Sequence, residues 1–100
     1  MKYVTNAFSL QMLREPDCLV NITEIDYDAF KALSYDAYSV IGHHDIAGVL
    51  GLEYNRESIK INEDDVVLVA QLFGGRLPEN CTELPEDVEL RFFCIRLMKK

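Results

Sequence analysis

Residues Val66-Val-Leu-Val-Ala-Gln-Leu72 are apolar at six of seven consecutive positions. A strand with apolar side chains on odd and even positions alike has no solvent side, so it needs a covering layer on each face and belongs at the centre of a sheet. Gly74-Gly75 ends the run. Just before it, Ser58-Ile-Lys-Ile-Asn62 alternates apolar with polar, and Asn62-Glu-Asp-Asp65 has turn chemistry. The pattern predicts a hairpin whose second arm, 66–72, is buried on both faces.

The rest of the chain supplies elements to build around that strand. Lys2–Asn6 is β-prone, and Ala7–Leu13 places Phe8, Met12 and Leu13 at helical spacing, with Asn6 and Ser9 as caps and Pro16 as the stop. Cys18–Thr23 alternates as a half-buried strand. Asp26 can cap a two-turn helix with Tyr27, Phe30 and Leu33 on one face, and Tyr38–Ile41 reads as a short strand. Ile46, Val49 and Leu50 at i, i+3, i+4, followed by Gly51, predict a helix over 43–51. Residues 80–88 read as loop with one helical turn, and Glu89–Leu97 as a last strand. The order β-α-β-α-β-α-β-β-β predicts an α/β fold: one domain, residues 1–100, with a single mixed sheet of five or six strands and short flanking helices.

At 100 residues the chain is long enough for one core and small enough to gain from burying surface in an oligomer. Ten Lys and Arg against seventeen Asp and Glu leave a net charge of −7, which argues against tracking DNA or long RNA through a broad basic surface but allows a small anionic ligand. Cys18, Cys81 and Cys94 are odd in number, without a CxxC pair or a His at metal spacing, so neither a disulfide framework nor a metal site is expected, and no cofactor. No signal-peptide pattern or membrane-length apolar run is visible, which predicts a cytoplasmic protein away from membranes.

Candidate chemistry lies at glycine breaks. The Gly42 turn runs into a helix N-terminus, where unpaired amides and the helix dipole favour an anion, and presents His43 beside them. The same features suit a surface histidine on an ordinary turn. Arg76 and Glu79 follow the glycine pair off the end of the central strand, a place where charged side chains meet a crevice, and arginine's planar fork suits phosphate. Solvated turn residues would look the same, as would a surface Arg56.

Taken together, Thr5-Asn-Ala-Phe-Ser-Leu-Gln-Met-Leu13, Ile41-Gly-His43, Asn55-Arg56, Val69-Ala-Gln-Leu72 and Gly75-Arg-Leu-Pro-Glu79 resemble, in order and separation, the viral ring nucleases that act as type III anti-CRISPR proteins. The resemblance implies a homodimer that binds cyclic tetra-adenylate across its two-fold axis and cleaves it without metal. It carries the catalytic roles to His43 as general acid, Arg76 and Glu79, and ligand contacts to Asn6, Ala7, Phe8, Ser9, Gly42, His44, Arg56 and Gln71. Members of that family often have an acidic residue directly after the histidine, where this chain has His44, and the match is loose from Asn80 onward. In such a reaction a ribose 2′-hydroxyl attacks the adjacent phosphate, His43 protonates the leaving 5′-oxygen, Arg76 offsets developing charge and Glu79 orients His43 or keeps it protonated. The products carry 2′,3′-cyclic phosphate and 5′-hydroxyl ends. Two other readings fit the same residues: a module that sequesters a cyclic oligonucleotide uncut, and an interaction protein of a virus or mobile element.

Overall fold

A computed structural model describes residues 1–14, 17–75 and 86–98. In chain order the elements are β1 (Lys2–Thr5), a 3₁₀ turn (Leu10–Met12), β2 (Leu19–Ile25), α1 (Tyr27–Ser34), β3 (Tyr38–Ser39), α2 (His44–Leu50), β4 (Val66–Phe73) and β5 (Glu89–Met98). They build one five-stranded mixed sheet in the order β2-β5-β4-β1-β3. The two-faced apolar run is therefore the middle strand. It pairs parallel to β1 and antiparallel to β5, while β1 pairs parallel to β3 and β5 antiparallel to β2.

Both faces of β4 are covered, as its sequence demands. Leu68 and Ala70 point into a cluster with Val4, Phe30, Ile41, Ile46, Ala47 and Phe92, which is the helix-covered face. Val67 and Val69 point the other way, to the lower face, where Ile61, Ile95 and Leu97 meet them and Phe8, Met12, Leu13 and Ile59 pack around them. Phe30, 2 % exposed, anchors α1 with its ring 4.7 Å from that of Phe92. Burying such a side chain contributes about 1.5–3 kcal/mol, and Phe30→Ala would cost about 3–5 kcal/mol once the cavity is counted.

Local signals set both helices. The Asp26 carboxylate accepts the Ala29 N–H at 2.8 Å and caps α1. Gly51, at φ 67°, closes α2 in the left-handed conformation, and the Leu52 N–H reaches back to the Ala47 carbonyl at 2.9 Å. Gly74, at φ 93°, ends β4 where a side chain would strike the Asp87 carbonyl at 2.9 Å.

Two expectations are corrected. Residues 58–62 do not form a hairpin arm with β4, because β1 and β5 occupy both of its edges. Instead Ile59 and Ile61 lie flat against the lower face, tied by one parallel bridge between Leu13 and Ile61. The expected turn survives, with the Asp65 N–H on the Asn62 carbonyl at 3.0 Å and the Asp65 carboxylate on the Asn62 N–H at 2.8 Å. The helix expected over 7–13 shrinks to the 3₁₀ turn, since Ser9 is extended (φ −130°, ψ 147°) and its hydroxyl caps Gln11 N–H. Leu13 is extended again to reach Ile61, while Pro16 and most of 80–88 (residues 80–85) lie outside the described residues. On the edge strand β2, Ile22 is 58 % exposed rather than half-buried, because the lower layer does not extend that far. Among the described residues no helix is long and apolar enough to cross a membrane.

Candidate functional site

Strands β4, β1 and β3 are parallel and end on the same side of the sheet. From β1 the chain runs to β2 at the far edge, returns through α1 to β3 on one flank of β1, and later supplies β4 on the other. β1 thus has a parallel neighbour on each flank, and the carboxyl ends of the three strands lie side by side.

The exits of β1 and β3 are stitched together there. The Val40 N–H bonds the Val4 carbonyl at 2.7 Å, and Thr5 Oγ1, buried, donates to the Ala7 carbonyl at 3.1 Å. Beyond them, the Gly42 N–H donates to Asn6 Oδ1 at 3.0 Å. This corrects an expectation, since the Gly42 amide is already satisfied by Asn6 and is not a free donor for an anion. Asn6 is correspondingly a long-range cap rather than a cap of its own segment.

His43 is the N-cap of α2. Its Nδ1 accepts the Ile46 N–H at 3.3 Å, and its carbonyl accepts from Ala47 at 3.0 Å. An Nδ1 that accepts carries no proton, so in this state the ring's proton sits on Nε2. His44, the first residue of the helix, is engaged differently: its ring stacks on Tyr54 with centroids 3.6 Å apart and planes 16° apart.

That stack belongs to a strap, residues 53–57, laid against the end of β3. Ile41 bridges Tyr54, the Asn55 N–H bonds the Ile41 carbonyl at 2.9 Å, and Ser39 Oγ donates to the Glu53 carbonyl at 2.6 Å. The Asn55 side-chain amide donates to the Ser39 carbonyl at 3.1 Å and Tyr38 Oη at 3.0 Å. The strap carries Arg56 across the glycine turn, with Arg56 Cγ only 3.2 Å from where a Gly42 Cβ would stand. A cleft of about 360 Å³ opens here, lined by Asn6, Val40, Gly42, Arg56, Glu57 and Ser58.

The structure therefore brings Asn6, Gly42 and Arg56 together; His43 follows Gly42 in the chain but is not among the residues lining the cleft. The structure spreads the other expected ligand residues. Ala7 is exposed next to Asn6, Phe8 packs into the lower core, and Ser9 is occupied with its turn. Gln71 is exposed on β4, two residues past the Thr5–Val69 pair and so just beyond the end of β1. Arg76 and Glu79 lie outside the described residues. The residues whose importance the sequence concealed are Tyr38, Asn55 and Glu57. Asn55 stands in the Asn-Arg pair, but nothing local shows that its amide reaches back to β3.

The fold is similar to that of B116 of Sulfolobus turreted icosahedral virus, with a TM-score of 0.76 over 95 % of this chain and 97 % of that one, at 23 % identity. Among curated proteins nothing matches significantly. The model of one protein family covers residues 2–94, and on that match the chain belongs to the STIV B116-like family.

Proposed function

We propose that this protein is a metal-independent ring nuclease of a virus or mobile element, cleaving cyclic tetra-adenylate in the host cytoplasm and so silencing type III CRISPR signalling. The observation that carries this reading is the convergence of Asn6, Gly42 and Arg56 at the carboxyl end of parallel strands, with His43 the next residue in the chain after Gly42. These residues come from three separate segments, and they are among those the ring-nuclease resemblance selects.

In this mechanism Arg56 holds a phosphate at the rim of the cleft, and the ring's own 2′-hydroxyl attacks in line, so binding has chiefly to align reactants. His43 delivers the Nε2 proton to the departing 5′-oxygen. To do so as an imidazolium it must also carry a proton on Nδ1, and it then releases the Ile46 amide. Arg76 offsets phosphoryl charge and Glu79 supports His43. A two-fold homodimer offers each donor twice to a ring of repeated phosphates, which suits a cleft this open in one subunit. An internal nucleophile needs no metal-bound water.

Incubation with cyclic tetra-adenylate in EDTA, followed by product analysis, tests this. Fragments with 2′,3′-cyclic phosphate and 5′-hydroxyl ends are expected. Activity abolished by EDTA and restored by magnesium, or 5′-phosphate products, would overturn the mechanism. The cap at His43 favours a second reading, in which the histidine is structural and the ring is sequestered uncut; full-length ring recovered from a stable complex would establish that instead.

A further inference from the structure

Arg56 is followed directly by Glu57, and both line the same cleft. Yet among the described residues Arg56 forms no ion pair; those present join Met1 to Asp65, Lys2 to Asp36 and Arg91 to Glu24.

Glu57 is held elsewhere. Its Oε2 accepts the Tyr38 hydroxyl at 2.5 Å and the Asn55 amide at 3.3 Å. The same amide, which has two hydrogens, also donates at shorter range to Tyr38 Oη and to the Ser39 carbonyl, so its contact with Glu57 shares a hydrogen with one of these and the phenol bond is the stronger hold on the carboxylate. Tyr38 stands on β3, paired in register with Tyr3 and meeting its ring edge-on at 6.4 Å. Accepting the phenol's proton, Glu57 in turn holds Tyr38 above the usual phenol range.

We infer that Tyr38 and Asn55 act as positioning residues that clamp Glu57 away from Arg56, keeping the guanidinium unneutralised and available to a phosphate of the ligand. The phosphate rests on the function proposed above; the clamp itself does not. Two charge-assisted or polar bonds fix the carboxylate where a free Glu57 would swing to its neighbour and compete with any incoming anion.

The test uses the whole chain. Tyr38→Phe removes only a hydroxyl from a side chain that is 41 % exposed, so the fold is retained. The ¹⁵N resonance of Arg56 Nε, without ligand, is expected to move in this variant as Glu57 reaches the guanidinium. Affinity for cyclic tetra-adenylate by calorimetry is expected to fall roughly two- to fivefold for each Arg56, the range for an exposed ion pair that must be broken. Adding Glu57→Gln to Tyr38→Phe should reverse both changes, which a loss of mere packing would not do. An Arg56 signal that stays put in Tyr38→Phe, or an affinity that Glu57→Gln fails to restore, would overturn the clamp. If the parent protein does not bind the ring, the proposed function falls, and the Arg56 signal alone decides the clamp: a reversible shift supports it and no shift refutes it.

Discussion

His43 caps a helix, and the proposed mechanism gives it a second job as general acid; substitution can separate the two. As N-cap it satisfies the Ile46 N–H, at the start of a helix of seven residues whose Ile46 and Ala47 are both 3 % exposed. Losing a cap costs about 0.5–2 kcal/mol, and the 3.3 Å bond, longer than the usual 2.9–3.0 Å, puts His43 in the lower half of that range. A loss of about 1 kcal/mol lowers Tm by roughly 4–8 °C in a domain of this size. His43→Ala should therefore melt several degrees lower and lose about 10²–10⁴-fold in cleavage rate. His43→Asn puts one of the best capping side chains in place with no proton to give, so it should melt at or above the parent temperature and be just as slow. Calorimetric melting and single-turnover cleavage of both variants read the two effects side by side. An Asn variant as unstable as the Ala variant would refute the cap, and an Asn variant that cleaves normally would refute the acid.

Two further outcomes are expected. Gly42→Ala meets no backbone strain, since Gly42 is not among the positive-φ glycines, but its Cβ would press on Arg56 Cγ; stability should stay within about 0.5 kcal/mol while ring affinity falls several-fold, as read by melting and calorimetry. Glu24 is held below the usual carboxylate range, chiefly by its hydrogen bond to Arg91, which lies over the Phe73 ring. A depressed folded-state value means the pair supports the fold above the unfolded carboxylate pKa and ceases to as pH falls through the folded one, so Arg91→Ala should raise the Glu24 midpoint in an NMR titration; an unmoved midpoint would refute the pairing.

What could be read in advance follows a physical divide. Signals satisfied within a few residues, such as the Asp26 cap, the Gly51 stop and the Asn62–Asp65 turn, were legible because donor and acceptor lie in one window. The central strand was legible for a different reason: a run apolar on both sides has a single place in a sheet. Alternation at Ser58–Asn62 was ambiguous, because it states that one side is apolar but not whether the segment pairs edge-on or lies flat on a neighbour. The lower face of β4 decided it, since Val67 and Val69 needed cover and both edges of the strand were taken.

The candidate site shows the same divide more sharply. Asn6 looked like a local cap, yet its partner, Gly42, is 36 residues away, and the Asn55 amide serves a strand 16 residues behind it. Bonds of this kind leave no periodicity, so motif residues could be named while the scaffold that aims them could not. Arg56 makes the point in energetic form. On the clamp inferred above, Tyr38 and Asn55 occupy the one carboxylate that follows Arg56 in the chain and shares its cleft. Electrostatic availability at this cleft is therefore set by neutral side chains on β3 and the strap, and substitutions there should change ligand affinity without touching a charge.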